Sequence, residues 1–324
     1  MARVIFAKTS KENAEKLRGR LIGLGVFDKS VSPFSKGDFV FFPVSRKVKL
    51  KGVVFVARNL KGAPTPSAKK VGVSFDIIGD IAIFEKPRKG GTLVKEIAKN
   101  ILKLHKNVKT VAMKEGALVG EYRLRKLRII AGRKKTETTH RENNCLFKVD
   151  VTKAYFSPRL GHERERISDL VKPGETVFVP FAGVGPFAIV IARRHPDAIV
   201  FANELNPYAI GYLKENIRLN RTHNVTVIPG DARNLLKKYG ETADRVVVPL
   251  PMMSGQFLDV AFGLTKRGGV VHLYHFSESV KKTVKMIEDY ARKIGKKAKV
   301  LSAREVRAYS PLITEVVVDF QVLD

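Results

Sequence analysis

Four short stretches of this 324-residue chain carry the residue types that could do chemistry. The run Val177-Phe-Val-Pro-Phe-Ala-Gly-Val-Gly-Pro186 passes from apolar residues straight into a Gly-x-Gly turn followed by proline. That order predicts strand, tight turn and helix, the place where a parallel α/β sheet binds an adenine-containing cofactor. Gly183 would let the chain turn, and Gly185 would let backbone approach a ligand with no Cβ between. Pro186 suits a first helical turn, where a missing N–H costs nothing. Glu204 follows about twenty residues on, where a carboxylate can accept two hydrogen bonds from a ribose diol. In Gly230-Asp231-Ala232-Arg233, Asp231 fits either an acceptor for an adenine amino group or a helix N-cap. Upstream, Tyr155-Phe-Ser-Pro-Arg-Leu-Gly-His-Glu-Arg164 packs charged groups, an aromatic ring and a proline-fixed turn into one segment. Its plain alternative is a basic surface loop with an internal Arg–Glu pair.

Two cofactors satisfy this much. Gly183-x-Gly185-x-x-Ala188, with Glu204 beyond it, meets the nicotinamide dinucleotide fingerprint. Three features favour S-adenosylmethionine instead. Asp231 follows a third apolar run, and Pro249-Leu250-Pro251 ends a fourth, where methyltransferases hold the methyl-accepting base. The last two β runs, 298–306 and 315–322, are joined by a segment too short for a helical crossover. A hairpin there makes the last strand antiparallel, a habit of S-adenosylmethionine methyltransferases rather than of dehydrogenases.

The elements that must position these residues follow from periodicity. Strands are predicted over 177–181, 199–202, 225–228, 246–249 and 270–274, and helices over 207–220, 254–264 and 279–294. Continuous apolar strands alternating with helices imply a parallel sheet buried on both faces. Near the amino terminus, 2–8, 38–44 and 53–57 read as strands, and 11–24 as a helix with Ala14, Leu17, Leu21 and Leu24 at helical spacing. The stretch 58–70 has linker composition. Two β runs within 73–84 flank a Gly79-Asp80 turn, 92–104 is an amphipathic helix, and 110–113, 121–130 and 145–151 are strands. No internal repeat is found.

Sixty Lys+Arg against 31 Asp+Glu give a formal net charge of +29. Such an excess repels itself in the folded state, and a polyanionic partner, nucleic acid first, is the natural explanation. Lysine enrichment also marks heat-adapted surfaces, but there Glu rises with Lys, and here the acids lag. A single cysteine, Cys145, excludes an internal disulfide framework and a cysteine-cluster metal site. No apolar run is long enough to cross a bilayer, and the amino terminus lacks signal-peptide architecture. A cytoplasmic location, no membrane, no metal and a monomer are the expectations.

In several of these stretches the sequence resembles the archaeal and eukaryotic-type tRNA guanine methyltransferases, which modify ring nitrogen one of the guanosine at position 37. The matching residues are Glu121-Tyr-Arg-Leu-Arg125, Tyr155 to Arg164, Phe181-Ala-Gly-Val-Gly-Pro-Phe187, Asn206-Pro207, Tyr212 to Asn220, Gly230 to Arg233 and Gly268 to Tyr274. The resemblance implies a Rossmann-like α/β methyltransferase domain with a mostly parallel seven-stranded sheet and an antiparallel last strand. Two small α+β domains would precede it: 1–60 recognising tRNA, a linker 61–72, a middle domain 73–152 and a catalytic domain 153–324. It implies S-adenosyl-L-methionine as cofactor and the tRNA anticodon loop as partner.

The same resemblance implies roles. Glu163 would take the guanine ring proton as general base, and Arg123 would stabilise charge on the neighbouring carbonyl oxygen. Arg164 would contact the methionine end of the cofactor, Glu204 the ribose and Asp231 the adenine. Tyr155, Arg159, Phe181, Ala182, Gly183, Gly185, Leu205, Ala232 and Pro249 would complete that site. Pro249, Leu250, Pro251 and Arg133 would meet the substrate, with Lys134, Lys135, Lys69, Lys70 and the amino-terminal module adding RNA contacts. Two positions depart from the family. Val179 stands where an acid is usual, and Pro249-Leu250-Pro251 replaces Asn-Leu-Pro, removing an amide donor and a polar side chain. That change resembles the archaeal subgroup that also methylates the wyosine precursor 4-demethylwyosine. The related aminocarboxypropyl transferases of the wyosine pathway, and a non-catalytic tRNA-binding protein, are the competing readings.

Overall fold

Short alternating strands build the first part of the chain. The computed structural model describes residues 2–28, 31, 33–50, 52–60, 73–87, 92–119, 122, 124–310 and 312–323. The expected linker 61–72, with Lys69 and Lys70, lies outside the described residues, as do Glu121 and Arg123. The chain divides into two units, 1–74 with 91–106 and 75–90 with 107–324.

In the first unit, β1 (Ala2–Ser10), α1 (Ala14–Gly23), β2 (Phe34–Lys36), β3 (Phe39–Val44) and β4 (Val54–Leu60) form an antiparallel sheet in the order β2-β3-β1-β4. Leu17 and Leu21, one helical turn apart, bury against Ala7, Phe42 and Val44. The three-residue strand β2 is too short to show a period and was not legible in the sequence. α2 (Thr92–Leu104) buries Val94, Ile97, Ala98 and Ile101 along one stripe.

The second unit opens with β5 (Phe75–Ile78), β6 (Ile81–Phe84), β7 (Thr110–Val119) and β8 (Leu124–Gly132), paired in that order. A hairpin follows, β9 (Glu137–Glu142) and β10 (Cys145–Asp150). Its two-residue loop, Asn143-Asn144, has φ of 47° and 57°, the left-handed pair that suits a hairpin. The segment from Tyr155 to Arg164 is not all loop, because α3 (Gly161–Leu170) begins within it.

Then comes the alternating series: β11 (Thr176–Val179), α4 (Pro186–Arg194), β12 (Ile199–Glu204), α5 (Pro207–Asn220), β13 (Val225–Pro229), α6 (Leu236–Tyr239), β14 (Ala243–Val248), α7 (Leu258–Leu264), β15 (Thr265–Ser277), α8 (Val280–Lys293), β16 (Lys297–Ala308) and β17 (Thr314–Leu323). The seven strands run in the order β13-β12-β11-β14-β15-β17-β16. All are parallel except β17, which is antiparallel to both neighbours. Sheet and hairpin thus match the expected fold. One core packs Ile167, Phe187, Ile191 and Leu213 on one face, and another packs Leu258, Phe262, Ile287 and Phe320 on the other. Each such side chain, fully buried, stabilises by about 1.5–3 kcal/mol. Strand order reverses between β11 and β14, so the ligand crevice of such a sheet falls at their carboxyl ends.

α5 also serves as an edge partner. Asn216 bonds the N–H and carbonyl of Lys148 at 2.7 and 3.0 Å, and Asn220 bonds those of Leu146 at 2.8 and 2.7 Å. Two asparagines four residues apart therefore satisfy alternate backbone groups of β10 and tie the hairpin to the sheet domain. Among the described residues no helix is long and apolar enough to cross a membrane.

Candidate active site

At the end of β11 the chain makes the expected bend. Phe181 and Gly183 have φ of 61° and 58°, and the Ala182 N–H donates to the Asn203 carbonyl at 2.8 Å. Glu204 ties the bend to β12: Oε2 accepts from the Gly183 N–H at 2.6 Å, and Oε1 accepts from Leu205 and Asn206 N–H at 2.9 and 2.8 Å. Gly185 also serves the packing of two helices. At φ 93° it caps α4, and a Cβ there would stand 2.4 Å from Leu213 Cδ1 and 2.9 Å from Ile189 Cδ1. Close α4–α5 packing by itself requires that glycine. At Gly183 the added Cβ would meet only the Tyr155 carbonyl, at 3.6 Å.

Along the crevice, Asp231 caps the turn after β13, accepting from the Arg233 N–H at 2.8 Å, while Ala232 lies buried behind it. The Phe181 ring meets Phe257 edge-on at 4.6 Å, and the Arg233 guanidinium covers Phe257 at 4.3 Å. Asn203 holds this end of the sheet together, donating to the Ile228 and Gly230 carbonyls at 2.9 and 2.8 Å.

Glu163, in the first turn of α3, is 5% exposed. Its Oε2 accepts from the Tyr274 hydroxyl at 2.8 Å and from Arg166 Nε at 3.1 Å, and its Oε1 accepts from Arg304 of β16. Arg166 passes on to Asp319 at 2.5 Å, Asp319 accepts from His272 Nδ1 at 2.6 Å, and Arg245 approaches His272 Nε2 at 2.7 Å. Because Arg245 can only donate, His272 carries its proton on Nδ1 and is neutral. The chain ends on Glu175, which accepts from Arg245 at 2.7 Å.

This network makes stability depend on acid. Burial alone would raise the Asp319 carboxyl, but hydrogen bonds from His272 and Arg166 hold it down at about 2. Burial holds the His272 imidazole below its ordinary 6.5. Both folded values are depressed, so both contributions are present at neutral pH and lost on acidification. The His272 contribution begins to fall below pH 6.5, and that of Asp319 between its ordinary 3.8 and about 2. The Asp319 share is about 2 kcal/mol. Urea unfolding at a series of pH values between 7 and 3 is expected to show this decline, with the step below pH 4 absent in Asp319→Asn. A flat profile would sink the assignment.

Arg164 is only 2% exposed and is largely committed. One Nη donates to Glu142 of β9 and the other to the Ser157 carbonyl at 2.8 Å, with the guanidinium 4.9 Å from the Phe156 ring centroid. Only Nε is without a partner among the described residues. The expected contact with the methionine end of the cofactor is thus restricted to one N–H. Arg159 pairs with Asp76 at 2.5 Å, and Tyr155 is exposed. At the Pro249-Leu250-Pro251 corner, the Leu250 carbonyl accepts from Met253 at 3.1 Å and the Pro251 carbonyl from Phe276 at 2.9 Å. Two of the backbone carbonyls at that corner are therefore already engaged. Arg133 is exposed on the turn between β8 and β9. Tyr274, Arg166, Arg304, Asp319 and Glu142 were not singled out from the sequence; only the Tyr274 motif carried any signal.

Comparison with known proteins gives the family. The family model described as the TRM5/TYW2 methyltransferase domain matches residues 138–301, the tRNA methyltransferase 5 N-terminal domain 8–50 and the TYW2 N-terminal domain 57–136. The tRNA (guanine(37)-N(1))-methyltransferase Trm5b of Pyrococcus abyssi is 40% identical, over 98% of this chain and 99% of its own. Its crystal structure superposes with a TM-score of 0.72, covering 99% of both chains. The structure of aTrm5 in complex with tRNALeu is 28% identical, with a TM-score of 0.70, covering 99% of this chain and 100% of that one. The tRNA (guanine(37)-N(1))/4-demethylwyosine(37)-methyltransferase Taw22 of Nanoarchaeum equitans is 35% identical over 68% of this chain and 91% of its own. By the match of its methyltransferase domain and the identity along nearly its whole length, the chain belongs to the TRM5/TYW2 family of methyltransferases.

Proposed function

We propose that this protein is an S-adenosylmethionine-dependent tRNA methyltransferase acting on N1 of guanine 37 in the anticodon loop, as a cytoplasmic monomer. The observation that carries the reading is Glu163: a buried carboxylate in the first turn of α3 with three donors on it, from β15, α3 and β16. The residues present fit the cofactor. Gly183 leaves room before the bend, Glu204 is half-buried beside it with one lone-pair site on Oε2 left for a ribose hydroxyl, and Arg164 Nε is an unused buried donor suited to a carboxylate. Phe181, Phe257 and Asp231 supply an apolar wall and an acceptor. When bound, S-adenosylmethionine supplies a methyl group made electrophilic by its sulfonium.

The chain's own residues make the acceptor reactive. Guanine N1 carries a proton and is a poor nucleophile until that proton leaves. Glu163 accepts it, held in place by Tyr274 and Arg166. The electrons released accumulate on the neighbouring carbonyl oxygen, where Arg123 is assigned as the cationic donor. The division into tRNA-recognition domain 1–60, linker 61–72, middle domain 73–152 and catalytic domain 153–324 belongs to the same reading.

A second activity on 4-demethylwyosine is proposed from the proline at 249, which presents no side-chain hydrogen bond to demand a guanine edge. The test is transfer of labelled methyl from S-adenosylmethionine to an unmodified tRNA transcript, followed by nucleoside identification. 1-Methylguanosine is expected, and on tRNA carrying 4-demethylwyosine an added methyl group. Absence of label on the transcript would overturn the first assignment, and absence of the added methyl the second.

A further inference from the structure

We infer that Tyr309 is a stacking platform for an unpaired nucleobase of the RNA substrate, the one flanking the methylated purine. The inference rests on the RNA-methylating reading above. Tyr309 sits at the turn between β16 and β17, its N–H donating to the Ile313 carbonyl at 2.9 Å, so the backbone beneath the ring is anchored. One ring face stacks on Phe276, with centroids 4.2 Å apart and planes inclined by 29°. Tyr309 is nevertheless 52% exposed, and Leu312 in the same turn is 80% exposed.

The position of this stack gives it meaning. Phe276 follows Tyr274 by two residues on β15, so both side chains point to the same face of the sheet. Tyr274 holds Glu163, and the Phe276 N–H donates to the Pro251 carbonyl. The Phe276–Tyr309 pair therefore adjoins both the tyrosine that holds the proposed base and the Pro249-Leu250-Pro251 corner, the two groups assigned above to the acceptor purine. Lys281 and Lys285, in the first two turns of α8 just past Ser277, are exposed, whereas Arg304 and Arg307 on the strand that leads to Tyr309 are engaged by Glu163 and Glu315. An open aromatic face beside cationic side chains is how unpaired nucleotides are held without sequence readout.

The chain contains no tryptophan, so Tyr309→Trp installs a single indole at the platform. Its fluorescence is expected to be quenched on titration with tRNA but not with S-adenosylhomocysteine, and to recover when the flanking loop nucleotide is abasic. Tyr309→Ala should raise KM for tRNA by about ten-fold or more, with kcat at saturation and KM for S-adenosylmethionine unchanged, while Tyr309→Phe behaves as wild type. An unquenched indole on tRNA that is bound and methylated, or an unchanged KM in Tyr309→Ala, overturns the platform alone. Failure of the wild-type protein to bind or methylate tRNA overturns the platform together with the reading beneath it.

Discussion

Replacing Glu163 by glutamine is expected to slow methyl transfer by about two to four decades, the range for losing a positioned general base. Glutamine preserves shape but cannot take the N1 proton. It also presents an NH2 group where the carboxylate accepts from Tyr274, Arg166 and Arg304, all donors. One donor must then face another donor, so the side chain turns or releases Arg304, the most exposed of the three. Cofactor affinity should stay close to wild type, because Glu163 bonds neither the glycine bend nor Glu204. Single-turnover transfer at saturating tRNA isolates the step, and calorimetry with S-adenosylhomocysteine checks the binding. Unchanged turnover would remove Glu163 from the mechanism.

How much of this was legible beforehand depended on the range of each interaction. The bend at Gly183 and the helix from Pro207 to Asn220 were readable because glycine, proline and a 3.6-residue period act within a few residues. The terminal hairpin was readable because eight residues cannot hold a crossover. Glu163 was identified by resemblance; nothing local to it announces a base, and its partners lie as far off as Tyr274, within a matching motif that does not point to Glu163, and Arg304, in a strand with no motif of its own. Gly185 shows what packing adds. Its place in a Gly-x-Gly turn suggested a ligand, whereas the close neighbours of its missing Cβ are Leu213 and Ile189. Only the packed structure separates a glycine kept for a ligand from one kept for a helix.

Arg164 carries the largest stability effect. Its guanidinium is held against its own burial, which opposes the charge, by Glu142, whose carboxyl is in turn drawn below the ordinary range despite burial by His140 and Arg164. His140 is itself fixed, its Nδ1 accepting from the Gly79 N–H at 3.1 Å while Nε2 lies 3.4 Å from Glu142. The run Gly79, His140, Glu142, Arg164, Ser157 thus clamps the first turn of α3, and with it Glu163, to the hairpin that Asn216 and Asn220 dock. Glu142→Gln leaves a cation buried opposite a neutral amide and should cost about 3–5 kcal/mol, read as a fall in the urea midpoint. Removing both charges in Glu142→Leu with Arg164→Met should recover most of that loss, since a buried pair exchanged for apolar groups is often neutral or stabilising. Should the single variant lose under about 1 kcal/mol, the clamp would be worth no more than a surface ion pair. Recovered stability without recovered transfer in the double variant would show that Arg164 acts on the reaction as well as on the fold.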